Sequence, residues 1–306
     1  MQKEYRKMNK QFPIIIIFAL VLGLSGVFIG CKQEQAGVNE EAVEEETAEV
    51  EANMQTPEPE ALQAASAENE VKIEAVANSP AFPGAKARFS SLKDGDLLED
   101  PNVSVVVDVE NFELGVQTDN ERAKEIMNSA QGQHAHIILD NDPYLADYES
   151  GKPFDIGVLG EGPHTLVVFP SRSYHESVKS PEAADIVNFY VGKKEGEFML
   201  DKSKPAIIYS RPKGAYEGEG ADEILLDFYL NNVELGPDGY KAKYTIRKKD
   251  STGEVTSIIL TDWTPAYVTG LTTGDYAVKL ELLDKDGNVV PGPFNSTERE
   301  ISIVRE

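Results

Sequence analysis

Short runs of apolar residues alternate with turn-forming residues from about residue 80 to the end of the chain. Strand-length runs bounded by Gly, Asp, Asn and Pro are typical of β-sandwich domains. The runs lie at residues 103–109, 135–139, 165–169, 186–191, 224–230, 242–246, 257–260, 276–282 and 301–304. One helix is predicted over residues 120–130, where Asp119 can cap the first turn. The pattern therefore predicts an all-β protein with one helix.

The chain contains the same β-rich module twice. Residues 105–115 (VVVDVENFELG) resemble residues 225–236 (LLDFYLNNVELG), and residues 162–169 (GPHTLVVF) resemble residues 274–281 (GDYAVKLE). A repeated module of this kind is a unit of folding, so we expect two tandem immunoglobulin-like β-sandwiches. Their predicted bounds are 80–197 and 198–306. The Cys-Trp-Cys pattern of antibody domains is absent, so the expectation concerns architecture alone.

The two copies differ most on the strand faces that are predicted to point outward. With Gly132 aligned to Gly239, the outward residues are His134, His136 and Ile138 in the first copy and Lys241, Lys243 and Thr245 in the second. On the later strand they are Thr165, Val167 and Phe169, against Ala277, Lys279 and Glu281. Side chains alternate along a strand, so each set shares one face. The first copy's partly apolar face predicts either an interaction site or a surface packed on residues 110–131 or on the second domain.

The loop after Phe169 brings polar side chains to the same end of the first domain. We expect the two strands to be antiparallel neighbours, with Phe169 near His134 and Val167 near His136. The loop carries Ser171, Arg172, Ser173, Tyr174 and His175. A guanidinium fork beside hydroxyl donors suits a phosphate or a carboxylate. This face and loop therefore predict a site for a peptide or an anionic ligand, and the alternative is that Arg172 pairs with a carboxylate of this acidic chain.

The histidines on the same face allow a second interpretation. His134, His136 and His175 have residue types and a His-x-His spacing that suit copper or zinc, with Glu176 or water as the fourth ligand. His164 is predicted to point inward as a satisfied core or interface residue.

The sequence has no Gly-x-Ser-x-Gly, no phosphate-binding glycine loop and no His-Glu-x-x-His, so we expect neither catalysis nor a resident cofactor. A structural or adhesive envelope component is the third hypothesis.

The N-terminal segment predicts a membrane tether. Residues 1–30 join a basic start to an apolar run, and Cys31, the only cysteine, follows directly. This order is typical of a bacterial lipoprotein signal, in which the cysteine takes a lipid such as palmitate. The alternative is an uncleaved membrane anchor.

The segment after the cysteine predicts a spacer. Residues 31–79 contain thirteen glutamates, two lysines and no aromatic residue, which predicts a disordered acidic linker. The whole chain has a formal net charge of −24. An excess of negative charge of this size argues against a nucleic-acid partner, because binding phosphates requires cationic surface.

Several strings resemble a known family. They are GQHAHIILDNDPY (132–144), SRSYHES (171–177), YSRPKG (209–214), LDFYL (226–230) and LELLDKDGNVVPGPFN (280–295). They are similar to a family of Bacteroidota lipoproteins named phosphopeptide-binding proteins, over most of residues 72–306. The resemblance implies a non-catalytic lipoprotein of the cell envelope, anchored in the outer membrane and facing the periplasm or the surface. It also implies a phosphopeptide ligand. For such a ligand we expect Ser171, Arg172 and Ser173 as phosphate donors, and Arg211 and Lys213 offer a second cationic point where the domains meet.

Overall fold

The computed structural model describes residues 70–251 and 253–305. These residues form an all-β structure with one short α-helix. The predicted signal, Cys31 and the linker up to residue 69 lie outside the described residues. Within the described part of the chain, none of the helices has the length and the apolar character of a membrane span.

The described residues contain seventeen strands. In chain order they are β1 Lys72–Ala75, β2 Lys86–Phe89, β3 Leu97–Leu98, β4 Asn102–Glu110, β5 His134–Leu139, β6 Leu145–Asp147, β7 Pro153–Val158, β8 Gly162–Ser171, β9 Asp185–Val191, β10 Ala206–Arg211, β11 Gly214–Glu217, β12 Glu223–Asn231, β13 Lys241–Lys248, β14 Glu254–Leu260, β15 Ala266–Thr269, β16 Gly274–Leu283 and β17 Ser296–Val304. The helix α1 is Arg122–Glu125, and two 3₁₀ turns lie at Gly218–Ala221 and Pro293–Asn295.

The strands build two immunoglobulin-like sandwiches with matching topology. The first pairs a three-stranded sheet, β2-β4-β7, with a five-stranded sheet, β3-β9-β8-β5-β6. The second pairs a four-stranded sheet, β1-β15-β12-β10, with a five-stranded sheet, β11-β17-β16-β13-β14. Both five-stranded sheets begin with a parallel pair and continue antiparallel. The repeat seen in the sequence is therefore a repeat of strand order.

The first strand belongs to the second sandwich. Residues Lys72–Ala75 pair antiparallel with Ala266–Thr269, at the edge of the four-stranded sheet. This corrects the predicted linker, 31–79, whose last residues include a strand. The alternation of Val71 and Ile73 with charged residues explains the pairing, because both apolar side chains pack against the second core.

The predicted helix over residues 120–130 is much shorter than expected. Only Arg122–Glu125 is helical, and Asn120, not Asp119, accepts a hydrogen bond from the Ala123 amide through its side chain. The Asn128 side chain donates to the Ala123 carbonyl at 2.6 Å and to the Ile126 carbonyl at 2.9 Å. Side-chain amides that bond to backbone carbonyls compete with the helical pattern, so the helix ends after one turn.

The two sandwiches pack face to face and belong to one compact unit. Inward residues of each sandwich fill separate cores, among them Ile137 in the first and Phe228 in the second. The outward residues form a third core that is shared by both sandwiches: Ile138, Tyr144, Val167, Phe169, Leu200, Ala206, Ile208, Tyr229 and Phe294. The predicted interaction face of the first copy is therefore covered by β10 and β12 of the second, and it is not exposed.

Candidate functional site

Three histidines meet where the first sandwich contacts the second. His134 and His136 lie on β5, and His175 lies in the loop after β8. One ring nitrogen of each lies within 4.8 Å of the others. His134 and His136 are fully buried, whereas His175 is only partly buried. The cluster is thus enclosed by protein and is closest to solvent on the His175 side.

The spacing of the ring nitrogens is close to that of metal ligands. Nε2 of His134 lies 3.0 Å from Nε2 of His136 and 3.1 Å from Nδ1 of His175. Nitrogen ligands about 2.0–2.1 Å from a tetrahedral ion lie about 3.3 Å apart. The whole set of three ligand nitrogens lies within 4.8 Å, so the rings must rearrange to bring all three onto one ion.

Neighbouring groups orient each ring. Nδ1 of His134 lies 2.9 Å from the Gly132 carbonyl, which can only accept, so this nitrogen carries the proton and Nε2 has the lone pair. Nδ1 of His136 lies 3.1 Å from Oγ of Ser210 on β10. Metal-binding histidines are commonly fixed by such hydrogen bonds from the other ring nitrogen.

The Tyr144 hydroxyl contacts the third ring. It accepts a hydrogen bond from Nη1 of Arg211 and lies 3.1 Å from Nδ1 of His175. The same nitrogen lies 3.1 Å from Nε2 of His134. An imidazole nitrogen has a single lone pair, so Nδ1 of His175 can bind an ion only when it does not accept the Tyr144 proton.

The histidines are held in their neutral form. Burial lowers the pKa of His134 to about 4, and the charges of Arg211 and Lys213 act in the same direction. Burial also lowers the pKa of His136 and of His175 well below the usual value, with further contributions from neighbouring histidines and Arg211. Neutral imidazole is the form that binds metal ions, so the rings are ready to act as ligands at neutral pH.

Aromatic rings pack around the cluster. The Tyr144 ring stacks on His136 with centroids 3.6 Å apart and planes 9° apart. Phe169 lies opposite His136 in the strand register, not opposite His134 as expected, and Val167 lies opposite Ile138. Phe169 is buried and stacks on the other side against Tyr229 of the second sandwich, so it stabilises the interface and is not accessible to a ligand.

His175 adopts an uncommon backbone conformation. Its φ angle is 71°, in the left-handed region that non-glycine residues rarely occupy. This conformation follows the tight turn that Arg172 begins, since the His175 amide donates to the Arg172 carbonyl at 2.8 Å. Strained residues are concentrated at functional sites, and here the strained residue directs an imidazole toward two others.

The Arg172 donor set is not available to an external ligand, which corrects the sequence prediction. Arg172 is buried, donates to the Ser177 and Pro80 carbonyls, and lies 3.6 Å from the Glu176 carboxylate. Its guanidinium also lies 5.2 Å from the centre of the Phe82 ring. The carboxylate pairing named as the alternative is therefore the observed arrangement, and it fixes the loop.

The hydroxyl residues of the loop are also enclosed. Ser173 donates to Asn128 Oδ1 at 2.6 Å, and the Tyr174 hydroxyl donates to Ser79 at 2.7 Å. Ser171 is fully buried and its hydroxyl has no hydrogen-bond partner. These residues connect the loop to neighbouring segments, so the predicted anion site at this loop does not form.

Glu176 does not serve as a fourth ligand. Its carboxylate accepts hydrogen bonds from Ser79 and from Arg122, whose Nη1 lies 2.7 Å away. Burial by itself would raise the pKa of Glu176, but the charges of Arg172 and Lys179 hold it below the usual value. The carboxylate is therefore satisfied by cations and remains ionised as part of the interface.

The structure adds residues that the sequence did not single out. Tyr144 and Ser210 contact the cluster, and the sequence offered no signal for either beyond the resemblance strings that contain them. Arg211 and Lys213, which were predicted to form a cationic point where the domains meet, both contact Tyr144. His164 is apart from the cluster and is satisfied by Asp140 at 2.6 Å and the Gly160 carbonyl at 2.8 Å.

Comparisons with known proteins concern the fold alone. No family model matches the chain, and no curated protein is similar to it. Similar solved structures include the fibronectin(III)-like modules of CbhA from Clostridium thermocellum, with 10% identity, a TM-score of 0.24, and coverage of 72% of this chain and 94% of that one. The chicken CNTN1 FN1-FN3 domains are 11% identical, with a TM-score of 0.25 and coverage of 72% of this chain and 65% of that one. The D0-D1 domain of Intimin is 10% identical, with a TM-score of 0.25 and coverage of 72% of this chain and 97% of that one.

Proposed function

We propose that this chain is a non-catalytic binding protein of the cell envelope whose ligand is a copper or zinc ion. The ion is held by His134, His136 and His175. One observation carries the proposal: three imidazole nitrogens converge within 4.8 Å, in a place where burial keeps them neutral. A lipid on Cys31 and the acidic linker would hold the two sandwiches at a membrane.

Metal binding is preferred over binding of a peptide or anion at the Arg172 loop. The loop donors are occupied by internal partners, and Phe169 is covered by the second sandwich. An ion, by contrast, would be held by three imidazole nitrogens that already lie within 4.8 Å of one another. Imidazole ligands suit copper and zinc, and the absence of a carboxylate or thiol ligand argues against calcium or an iron–sulfur cluster.

The test is calorimetric titration of the full-length protein with Zn(II) and Cu(II), after metal has been removed on a chelating resin. We expect one ion per chain. The His134→Gln and His175→Asn variants should bind the ion roughly 100-fold more weakly or not at all, because each loses one of three ligands. Asn tolerates a left-handed backbone, so the His175→Asn variant should retain the fold.

The matched control is His164→Gln, which removes the histidine that lies outside the cluster. It should bind the ion as the unaltered protein does. Absence of binding by the unaltered protein, or equal loss in the His164→Gln control, would refute the metal site. Circular dichroism of each variant separates the loss of a ligand from the loss of the fold.

A further inference from the structure

Arg211 is unlike every other arginine in the described part of the chain. Each of the other six donates to a carboxylate or to a backbone carbonyl. Arg211 donates only to the Tyr144 hydroxyl, at 3.1 Å, and lies 5.5 Å from the centre of the Tyr216 ring. Its Nε is buried and has no hydrogen-bond partner. A guanidinium offers five N–H groups, so most of this donor fork is unused.

A second cation lies beside it, again without a carboxylate. Nζ of Lys213 donates to the Tyr144 carbonyl at 2.6 Å and lies 4.2 Å from the centre of the Tyr144 ring. The two cations thus contact the same tyrosine. Burial and the charge of Arg211 lower the pKa of Lys213, which is the expected effect of like charges held together.

Among the described residues, no carboxylate forms an ion pair with Arg211 or Lys213. Burial raises the pKa of Tyr144, and it raises that of Tyr209 well above the usual value, so both phenols stay neutral at physiological pH. Elsewhere at the interface, buried cations do have acidic partners: Arg122 pairs with Glu176, and Lys179 with Asp227. In a chain with 53 acidic residues and 29 basic ones, two adjacent unpaired cations form an exception.

We propose that Arg211 and Lys213 form a binding site for a small oxyanion, of the phosphate or carboxylate class. The guanidinium fork matches two oxygens of such a group, and the ammonium adds a point charge. Both residues keep part of their surface exposed, although the Nε of Arg211 is buried. The site is separate from the predicted Arg172 loop, and its ligand does not depend on a bound metal.

The anion site predicts a coupling to the histidines, and this part rests on the proposed metal site. Arg211 donates to the Tyr144 hydroxyl, which lies 3.1 Å from Nδ1 of His175, so its positive charge lies near the proposed ligands and opposes a metal cation. A bound oxyanion would offset that charge. Anion and metal should therefore strengthen each other's binding by the same factor.

The experiment is calorimetric titration of the full-length, metal-stripped protein with inorganic phosphate and, separately, with acetate, in a buffer without other oxyanions. We expect millimolar or tighter binding of at least one of them, and the stronger ligand identifies the class. Binding should weaken by roughly 10-fold or more in Arg211→Met, which keeps an apolar stem and removes the fork. Lys213→Met, at a partly exposed position, repeats the test if Arg211→Met does not fold.

Lys243→Met is the matched control, since it removes a cation from an outward strand of the second sandwich. Phosphate and acetate binding should be unchanged in this variant. Failure of both anions to bind, or equal binding by Arg211→Met and the unaltered protein, would overturn the anion site. Repeating the zinc titration with the bound anion present tests the coupling, and a failure there alone leaves the anion site standing.

Discussion

Each clustered histidine is defined by burial and by one fixed hydrogen bond. His134 and His136 are fully buried, and His175 occupies a left-handed backbone conformation. Burial penalises the charged imidazole, so the folded chain keeps all three rings neutral over a pH range in which free histidines become protonated. The same histidines should therefore lower the free energy of unfolding when the solution becomes acidic.

The free energy of unfolding should fall as the pH drops below 6.5. The folded pKa of His134, about 4, is lower than the unfolded value of about 6.5. Between these values the unfolded chain binds more protons than the folded chain, so stability decreases toward lower pH. Each clustered histidine contributes at most about 1.4 kcal/mol per pH unit. Urea unfolding at pH 7.5, 6.5 and 5.5, without metal, measures the slope.

The slope can be assigned to the cluster with one variant. His136→Leu removes a neutral buried ring, so the free energy of unfolding of this variant should change less between pH 7.5 and 5.5. An unaltered protein whose unfolding free energy does not change over this range would contradict the neutral, buried state of the rings.

At the scale of elements, strand β5 shows why equivalent strands of the two copies differ. Ile138 is fully buried in the shared core, whereas the equivalent Thr245 on β13 keeps part of its surface exposed and lies opposite Lys279. One face of each strand packs in the core of its own sandwich. Only β5 also has its second face covered, which explains the apolar residues and histidines on that face.

A glutamate should therefore change stability by very different amounts at the two equivalent positions. Ile138→Glu places an unpaired charge in the shared core and should cost about 3 kcal/mol or more. Thr245→Glu places the same charge opposite Lys279 and should change stability by no more than about 0.5 kcal/mol. Urea unfolding of both variants tests this, and a Thr245→Glu variant that is destabilised as strongly as Ile138→Glu would contradict it.

Much of this element-level description was predictable, but not the register or the helix. Alternation of apolar and polar residues located the strands, because one buried face imposes a period of two. The pairing of β5 with β8 differs from the expectation by two residues, a shift that keeps every side chain on the same face and therefore leaves no trace in the pattern. The helix was overestimated because the Asn128 side chain ends it through contacts that sequence periodicity does not reveal.

At the scale of the whole molecule, the shared core joins both sandwiches. Phe169 stacks on Tyr229 with centroids 4.8 Å apart, and Tyr229 contacts Trp263 edge to face at 5.0 Å. The first strand of the described residues also belongs to the second sandwich, and the chain then forms the first sandwich. The packing and this connection predict that the two sandwiches unfold together.

The single tryptophan allows a direct test of this cooperativity. Ile137→Ala removes a fully buried side chain from the first core and should cost about 2–5 kcal/mol. If unfolding is one transition, the midpoint reported by Trp263 fluorescence in the second sandwich should shift as much as the midpoint reported by circular dichroism. A Trp263 midpoint that stays in place while the circular dichroism midpoint shifts would show that the sandwiches unfold independently.

The sequence by itself determined which residues form strands, which of them share a face, and that two related β modules follow each other. These properties depend on short-range geometry, since alternation along a strand places His134 and His136 on one side. Only the tertiary structure decided what covers that side. Burial against β10 and β12 keeps the histidines neutral and places Arg211 beside Tyr144. Arg172 is occupied by Glu176 and by the Ser177 and Pro80 carbonyls. Such outcomes depend on contacts between residues far apart in the chain, which no local pattern records.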